Sequence, residues 1–201
     1  SVALFELAGS SPAFGTTYNM DFSWRQFRDD EWWRKIPLWK DVDYKTFIDH
    51  KWQEKNAITN HKKLLKTIQD LVSQDFLEDA KDGFLRAPMA IRVSPYLLSL
   101  MSWETPDTCP IRRQFLPLAS QLQPDHPMLR FDSLNEQKDS PVKGLTHRYQ
   151  DKVLFLALDT CPVYCRFCTR AYAVGSSTAT AEKVSIKASK DRWTDIFKYL
   201  R

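Results

Sequence analysis

Apolar positions along the chain fall into a few segments of distinct period. Within 43–73, Leu64, Leu65, Ile68, Leu71 and Val72 recur at i, i+1, i+4, i+7 and i+8. That spacing makes one stripe of a helix, with Lys62, Lys63, Lys66 and Asp70 largely on the other face, so the span is predicted helical. Asp79 to Gly83 reads as a turn. Ser94-Pro95 has the form of an N-cap followed by proline at the first helical position, opening a helix through "YLLSLM". Val153 to Leu158, "VLFLAL", is a short continuous apolar run and predicts a strand buried on both faces, as in a parallel sheet. A helical pattern returns over 190–201, with Trp193, Ile196, Phe197 and Leu200 on one side. Strand, long loop, helix is the first unit of a βα architecture.

Between these segments the chain changes character. Pro106, Pro110, Pro117, Pro124, Pro127 and Pro141 mark 105–141 as a long connection with short structured pieces. Loops of this length inside a domain often bind something. Residues 21–52 hold Trp24, Trp32, Trp33, Trp39 and Trp52, with Pro37 interrupting any helix. Such rings can stack on bases. The interleaved charges are of mixed sign, which favours an arm that packs its rings onto a larger body. The chain thus divides into a tail (1–20), a mostly helical region with the aromatic arm and Pro-rich connection (21–145), and a segment from 146 to 201 that opens with the strand. The tail lacks the basic start and apolar core of a signal peptide.

Composition narrows the function classes. The 201 residues are 43% hydrophobic and 27% charged, which argues against wholesale disorder. The net charge of +4 comes without a basic run, so no nucleic-acid partner is implied. No apolar run approaches the roughly 18 residues of a membrane helix. Neither GxxxxGK[ST] nor GxGxxG occurs. The length falls short of the roughly 250 residues of a closed (β/α)8 barrel.

The cysteines carry the chemistry. Of Cys109, Cys161, Cys165 and Cys168, the last three fall within one short loop, in C-x3-C-x2-C spacing, directly after the predicted strand. Clustering of this kind favours a metal or cluster site in a reducing compartment, the cytoplasm or another, over a disulfide framework. Three thiolates can hold three irons of a 4Fe–4S cube and leave the fourth iron open to chemistry. Loops at the carboxyl ends of parallel strands are also where α/β folds place active sites. A structural zinc site is the rival. It needs a fourth ligand, Cys109 or His147, and its usual pairs are C-x2-C on separate knuckles.

With an aromatic, Phe167, just before its last cysteine, the loop "CPVYCRFCTR" resembles that of radical S-adenosylmethionine enzymes. "SPVKGLTHRYQDKVLFL", "RVSPYLLSLM" and "CPIRRQFLP" extend the likeness to the lysine 2,3-aminomutase family over roughly 22–201. The resemblance implies that Cys161, Cys165 and Cys168 ligate a 4Fe–4S cluster whose open iron takes S-adenosylmethionine, with Phe167 near the adenine. It implies a pyridoxal phosphate whose phosphate meets Arg148, Tyr149 and Lys152, and a substrate carboxylate held by Arg170. Better-known members carry arginine where Lys152 stands, and lysine keeps the charge but loses the fork. The implied reaction moves the α-amino group of an amino acid to its β-carbon. The implied partners are a small-molecule amino acid substrate and an electron donor to the cluster; homo-oligomerisation is left open.

Cys109 is expected to be a free thiol. Arg112 and Arg113 are expected to order the Pro-rich arm, and His147 to line the cofactor site. His50, His61 and His126 have no partner pattern, and Arg166 takes no assigned role. Family members are longer. The glycine-rich segment after the next strand and the late lysine that forms the pyridoxal aldimine have no counterpart here, so no catalytic lysine is assignable. The expected fold class is therefore α/β: an N-terminal helical region plus the first βα unit of a partial, TIM-like radical-SAM barrel, incomplete in this chain and inactive alone. Two other classes stand beside it: a stand-alone iron–sulfur binding module, and a zinc-binding interaction protein with the Trp-rich arm as its contact surface.

Overall fold

Capping residues decide where the helices of this chain begin. In a computed structural model that describes residues 30–201, each of seven α-helices is opened by a side chain that accepts a backbone N–H of its first turn. Asp43, Asp49 and Asn60 cap α1 (Tyr44–Phe47), α2 (His50–Lys55) and α3 (His61–Ile68). The helix expected over 43–73 is therefore three helices. Between α2 and α3 the chain turns extended, and Ile58 exchanges two backbone hydrogen bonds with Val93 at 2.8 and 3.0 Å. Ser73 caps α4 (Gln74–Arg86), which runs straight through the turn expected at Asp79–Gly83.

Gly83 sits inside that helix because a neighbouring chain comes too close for a side chain. A Cβ there would lie 2.8 Å from the Pro117 carbonyl oxygen and 2.9 Å from its carbon. On the same face, the Asp79 carboxylate accepts the Ser120 backbone N–H at 2.8 Å. The Pro-rich connection is thus docked on α4, with Leu116 and Leu118 buried beneath it. Ser94 and Pro95 open α5 (Pro95–Leu100) as the sequence predicts. Within the connection lie α6 (Pro110–Phe115), capped by Cys109, and a 3-10 turn at Ala119–Gln121.

One core joins these helices. Trp32, Trp33 and Trp39 are buried in it, on 3-10 turns at Trp32–Lys35 and Pro37–Trp39. The Trp33 ring stacks on Phe47 at 4.7 Å, and Trp32 meets Trp33 edge-on at 5.3 Å. Their indole N–H groups donate to Ser99 Oγ and the Val42 carbonyl, so the polar ends are satisfied. These rings pack inward, as the mixed charges around them imply. The tail over 1–20 and Trp24 lie outside the described residues.

The sheet is small. The apolar run 153–158 does not form a parallel strand buried on both faces. Only β2 (Leu154–Phe155) is a strand, half-buried and antiparallel to β1 (Leu145–Thr146), with Leu145 opposite Phe155. Its physical reason is local: no parallel neighbour exists among the described residues, so β2 pairs with the segment nearest in sequence. Arg192 of α7 (Lys190–Tyr199) donates to the Leu156 and Ala157 carbonyls at 2.9 and 2.7 Å, satisfying groups that a neighbouring strand would otherwise take. The fold is mixed and helix-rich, with little sheet. No helix among the described residues is long and apolar enough to cross a membrane.

Gly83→Ala gives a direct test of the α4 docking. Helix propensity alone would favour alanine by about 1 kcal/mol. The contact with rigid Pro117 backbone outweighs that, giving a net loss of about 1–2 kcal/mol in urea unfolding. A higher midpoint for the variant would contradict the close approach.

Candidate functional site

Backbone hydrogen bonds pin the cysteine loop to the helical body. The Tyr164 N–H donates to the Arg92 carbonyl at 2.9 Å, and the Arg166 N–H to the Gln114 carbonyl at 2.9 Å. The Arg166 guanidinium adds a bond to the Arg113 carbonyl at 2.8 Å. Burial pushes the Arg166 pKa down. That places a role for Arg166 in holding the loop to α6. At the far end, the Gly175 N–H closes the loop onto the Asp159 carbonyl at 2.8 Å.

On this loop Cys161 is exposed, while Cys165 and Cys168 are half-buried, and all are free thiols. The Cys165 pKa is raised, first by burial and then by Cys168 and Cys161. Cys165 thus lies within electrostatic reach of the other two sulfurs. The three are not gathered closely enough to hold a metal ion among the described residues. In kind the donor set fits an iron–sulfur cluster: three thiols and no fourth. Cys109 is buried in the helical core and accepts the N–H groups of Arg112 and Ser102. His147 bonds the Tyr199 hydroxyl at 2.6 Å. Neither supplies the fourth ligand that zinc would need.

Beside the loop lies an open cleft of about 1030 Å³, whose lining includes Phe167, Cys168 and Thr169 of the loop together with Met89, His126 and Phe131. The Phe167 ring is 64% exposed, available to a flat partner. Nearby, the Lys183 ammonium lies 4.6 Å over the Phe131 ring and donates to the Ala171 carbonyl. Burial pulls its pKa down to about 8.

The two arginines expected to hold anions share one support. Residues 132–139 form a tight turn in which the Asp132 carboxylate accepts the N–H groups of Glu136 and Gln137, at 3.0 and 2.8 Å. From that turn, the Asp139 carboxylate takes Nε of Arg148 at 2.7 Å, and the Leu134 carbonyl takes Nη2 at 2.6 Å. The Arg148 pKa is raised by the Asp139 hydrogen bond. Glu136 takes Nε and Nη2 of Arg170 at 3.1 and 2.9 Å, and the Tyr172 hydroxyl at 3.0 Å. Tyr149 is exposed, and the Lys152 ammonium lies 5.2 Å over its ring while pairing with Asp151 at 3.5 Å.

No family model matches the chain. Individual curated proteins do. It is 39% identical to an L-lysine 2,3-aminomutase of Bacillus subtilis over 140 residues, 69% of this chain and 28% of that protein. It is 38% identical to the L-lysine 2,3-aminomutase of Clostridium subterminale over 146 residues, 72% of this chain and 33% of that protein. The chain belongs to the lysine 2,3-aminomutase family. A glutamate 2,3-aminomutase of Clostridioides difficile is 30% identical over 145 residues, 71% of this chain and 32% of that protein. The chain spans about a third of the length of the curated relatives it matches.

Of the residues that the resemblance singles out, Arg148, Tyr149 and Lys152 lie on one exposed stretch. The structure sets Arg170 apart, beside the cysteine loop. Glu136 and Tyr172 were missed by sequence reasoning. A glutamate in a polar, Pro-rich connection carries no signal of burial, and only the fold brings it to Arg170. Arg112 is tied to the Pro106, Asp107 and Leu116 carbonyls, so it orders the Pro-rich connection from within.

Thiol reactivity should follow this placement. Alkylation of the native chain, read by mass spectrometry, should modify Cys161 first and Cys109 last, by at least tenfold in rate. Early modification of Cys109 would contradict its burial at the start of α6.

Proposed function

We propose that this chain carries the cluster-binding part of a radical S-adenosylmethionine 2,3-aminomutase, in which 146–201 would open a partial barrel. The observation that carries it is the loop of Cys161, Cys165 and Cys168: three free thiols close in one loop, no fourth donor beside them among the described residues, and an adjacent cleft of about 1030 Å³. Two-sided support comes from the relatives, whose names are those of lysine and glutamate 2,3-aminomutases. The three cysteines would hold a 4Fe–4S cluster, and Phe167 would offer its exposed ring to the adenine of S-adenosylmethionine. Arg148, with Tyr149 and Lys152, would hold the phosphate of pyridoxal phosphate, two cations and a hydroxyl around a dianion. Cluster, S-adenosylmethionine and pyridoxal phosphate together would supply the radical and imine chemistry; the electron comes from a donor protein in a reducing compartment.

This chain's own residues then bind and orient. Arg148 and Arg170 each have the Nε–Nη2 edge held by the 132–139 turn, and Nη1 takes no hydrogen bond among the described residues. That leaves each an outward edge for an anion: phosphate at Arg148, the amino acid's carboxylate at Arg170. The Arg166 guanidinium, bonded to the Arg113 carbonyl, ties the loop to α6. L-Lysine is the favoured amino acid, since relatives of that name match at higher identity than the glutamate enzyme.

Anaerobic reconstitution with iron and sulfide tests the donor set. The chain should retain about four irons, keep them in the Cys109→Ser variant and lose them when Cys161, Cys165 and Cys168 are all replaced by alanine. One zinc per chain with no iron, or loss of iron in Cys109→Ser, would overturn the assignment.

A further inference from the structure

The Glu136–Arg170 pair is asymmetric in a way that an ordinary ion pair is not. The Glu136 side chain is 6% exposed and that of Arg170 34%. Glu136 is held from three sides: Arg170 Nε, Arg170 Nη2 and the Tyr172 hydroxyl. Its backbone is fixed too, since its N–H donates to Asp132. The Tyr172 pKa is raised, first by burial and then by the Glu136 charge, so the hydroxyl keeps its proton and donates it. Every contact therefore runs toward one end: a buried, immobilised carboxylate grips one edge of a guanidinium whose opposite edge faces outward.

We propose that Glu136, backed by Tyr172, is a positioning residue that fixes the Arg170 guanidinium so that its free edge meets the carboxylate of the amino acid substrate. This rests on the reading that Arg170 binds that carboxylate. A guanidinium has five N–H donors. Two go to Glu136, and three remain, enough for two parallel bonds from the outer edge to a second carboxylate. Arginine has a long, mobile side chain, and ordering it before the ligand arrives removes that entropy from binding. The Glu136 charge also opposes an incoming carboxylate. Positioning and repulsion thus act in opposite directions on affinity, and the sign of the effect separates them.

The full 15N-labelled chain provides the test. The Arg170 Nε–H resonance, assigned by its loss in Arg170→Lys, is followed by NMR as L-lysine or L-lysinamide is added; lysinamide lacks the carboxylate. The wild type should respond to L-lysine and at least tenfold less to lysinamide. Arg170→Lys, followed through backbone N–H signals of the same loop, should lose that preference. Glu136→Gln should weaken the L-lysine response at least fivefold and bring the two ligands together, with Glu136→Asp recovering part of the difference. Tyr172→Phe, which leaves the ion pair in place, should weaken it about threefold.

No preference in the wild type, or an unchanged preference in Arg170→Lys, would remove the carboxylate reading and this inference with it. Loss of preference in Arg170→Lys, with Glu136→Gln and Tyr172→Phe titrating as wild type, would leave Arg170 its role and overturn Glu136's. Tighter L-lysine binding in Glu136→Gln would overturn it as well, since repulsion would then dominate. Should Glu136→Gln fail to fold, Tyr172→Phe decides: an unchanged titration sinks the proposal.

Discussion

The turn at 132–139 is the constraint on which the site depends. It supplies two carboxylates and a carbonyl to two arginines that are far apart in sequence, Arg148 and Arg170. Its own geometry comes from Asp132, which accepts two backbone N–H groups, and from Asn135 in the left-handed region at φ 53°. Asparagine tolerates that conformation better than most residues. The Asp139 carbonyl then takes the His147 N–H at 2.8 Å, so the turn is stitched to the residue between β1 and Arg148. Removing one partner of a buried ion pair costs about 3–5 kcal/mol. With Arg170 partly solvated, the Glu136 pair belongs at the lower end of that scale. The turn therefore acts on order more than on global stability: it decides which edges of two guanidinium groups face outward.

Behind the turn, the helical core gives the cysteine loop a fixed base. Trp33 on Phe47, with Trp32 across them, fills the centre, and α4 clamps the Pro-rich connection through Gly83 and Asp79. Arg112, fully buried, gathers carbonyls of that connection, and desolvation lowers its pKa without removing its charge at any ordinary pH. The C-terminal end of α6 then offers the Arg113 and Gln114 carbonyls to Arg166. The chain of support runs from aromatic packing, through one buried guanidinium, to the backbone of a thiol loop. The loop itself is more exposed than its base: Cys161 and Phe167 are exposed, whereas Arg112 beneath them is buried.

How much of this was legible in the sequence depends on whether the signal was local. The three cysteines were, because spacing in one loop needs no fold to be read. So was α5, where Ser94 and Pro95 state a helix start, and α7, where four apolar residues share a face. The helix through Asp79–Gly83 was not, because its glycine answers to Pro117, thirty-four residues on. The breaks in 43–73 follow from Asp49 and Asn60 acting as caps and from Ile58 pairing with Val93, a competition that a hydrophobic stripe does not show. The strand at 153–158 was overread: an apolar run says that a segment is to be covered, not by what. Here a short antiparallel partner and Arg192 cover part of it, and Leu158 is left exposed. Glu136 was invisible for the opposite reason, a charged residue whose burial only the turn creates.

The central claim is that three thiols hold a cluster with one iron left open. Electron paramagnetic resonance of the anaerobically reconstituted, reduced chain, recorded before and after S-adenosylmethionine is added, tests it most directly. Binding at an open iron predicts a changed spectrum with S-adenosylmethionine and no change with methionine alone. A reduced cluster whose spectrum ignores S-adenosylmethionine would contradict the claim.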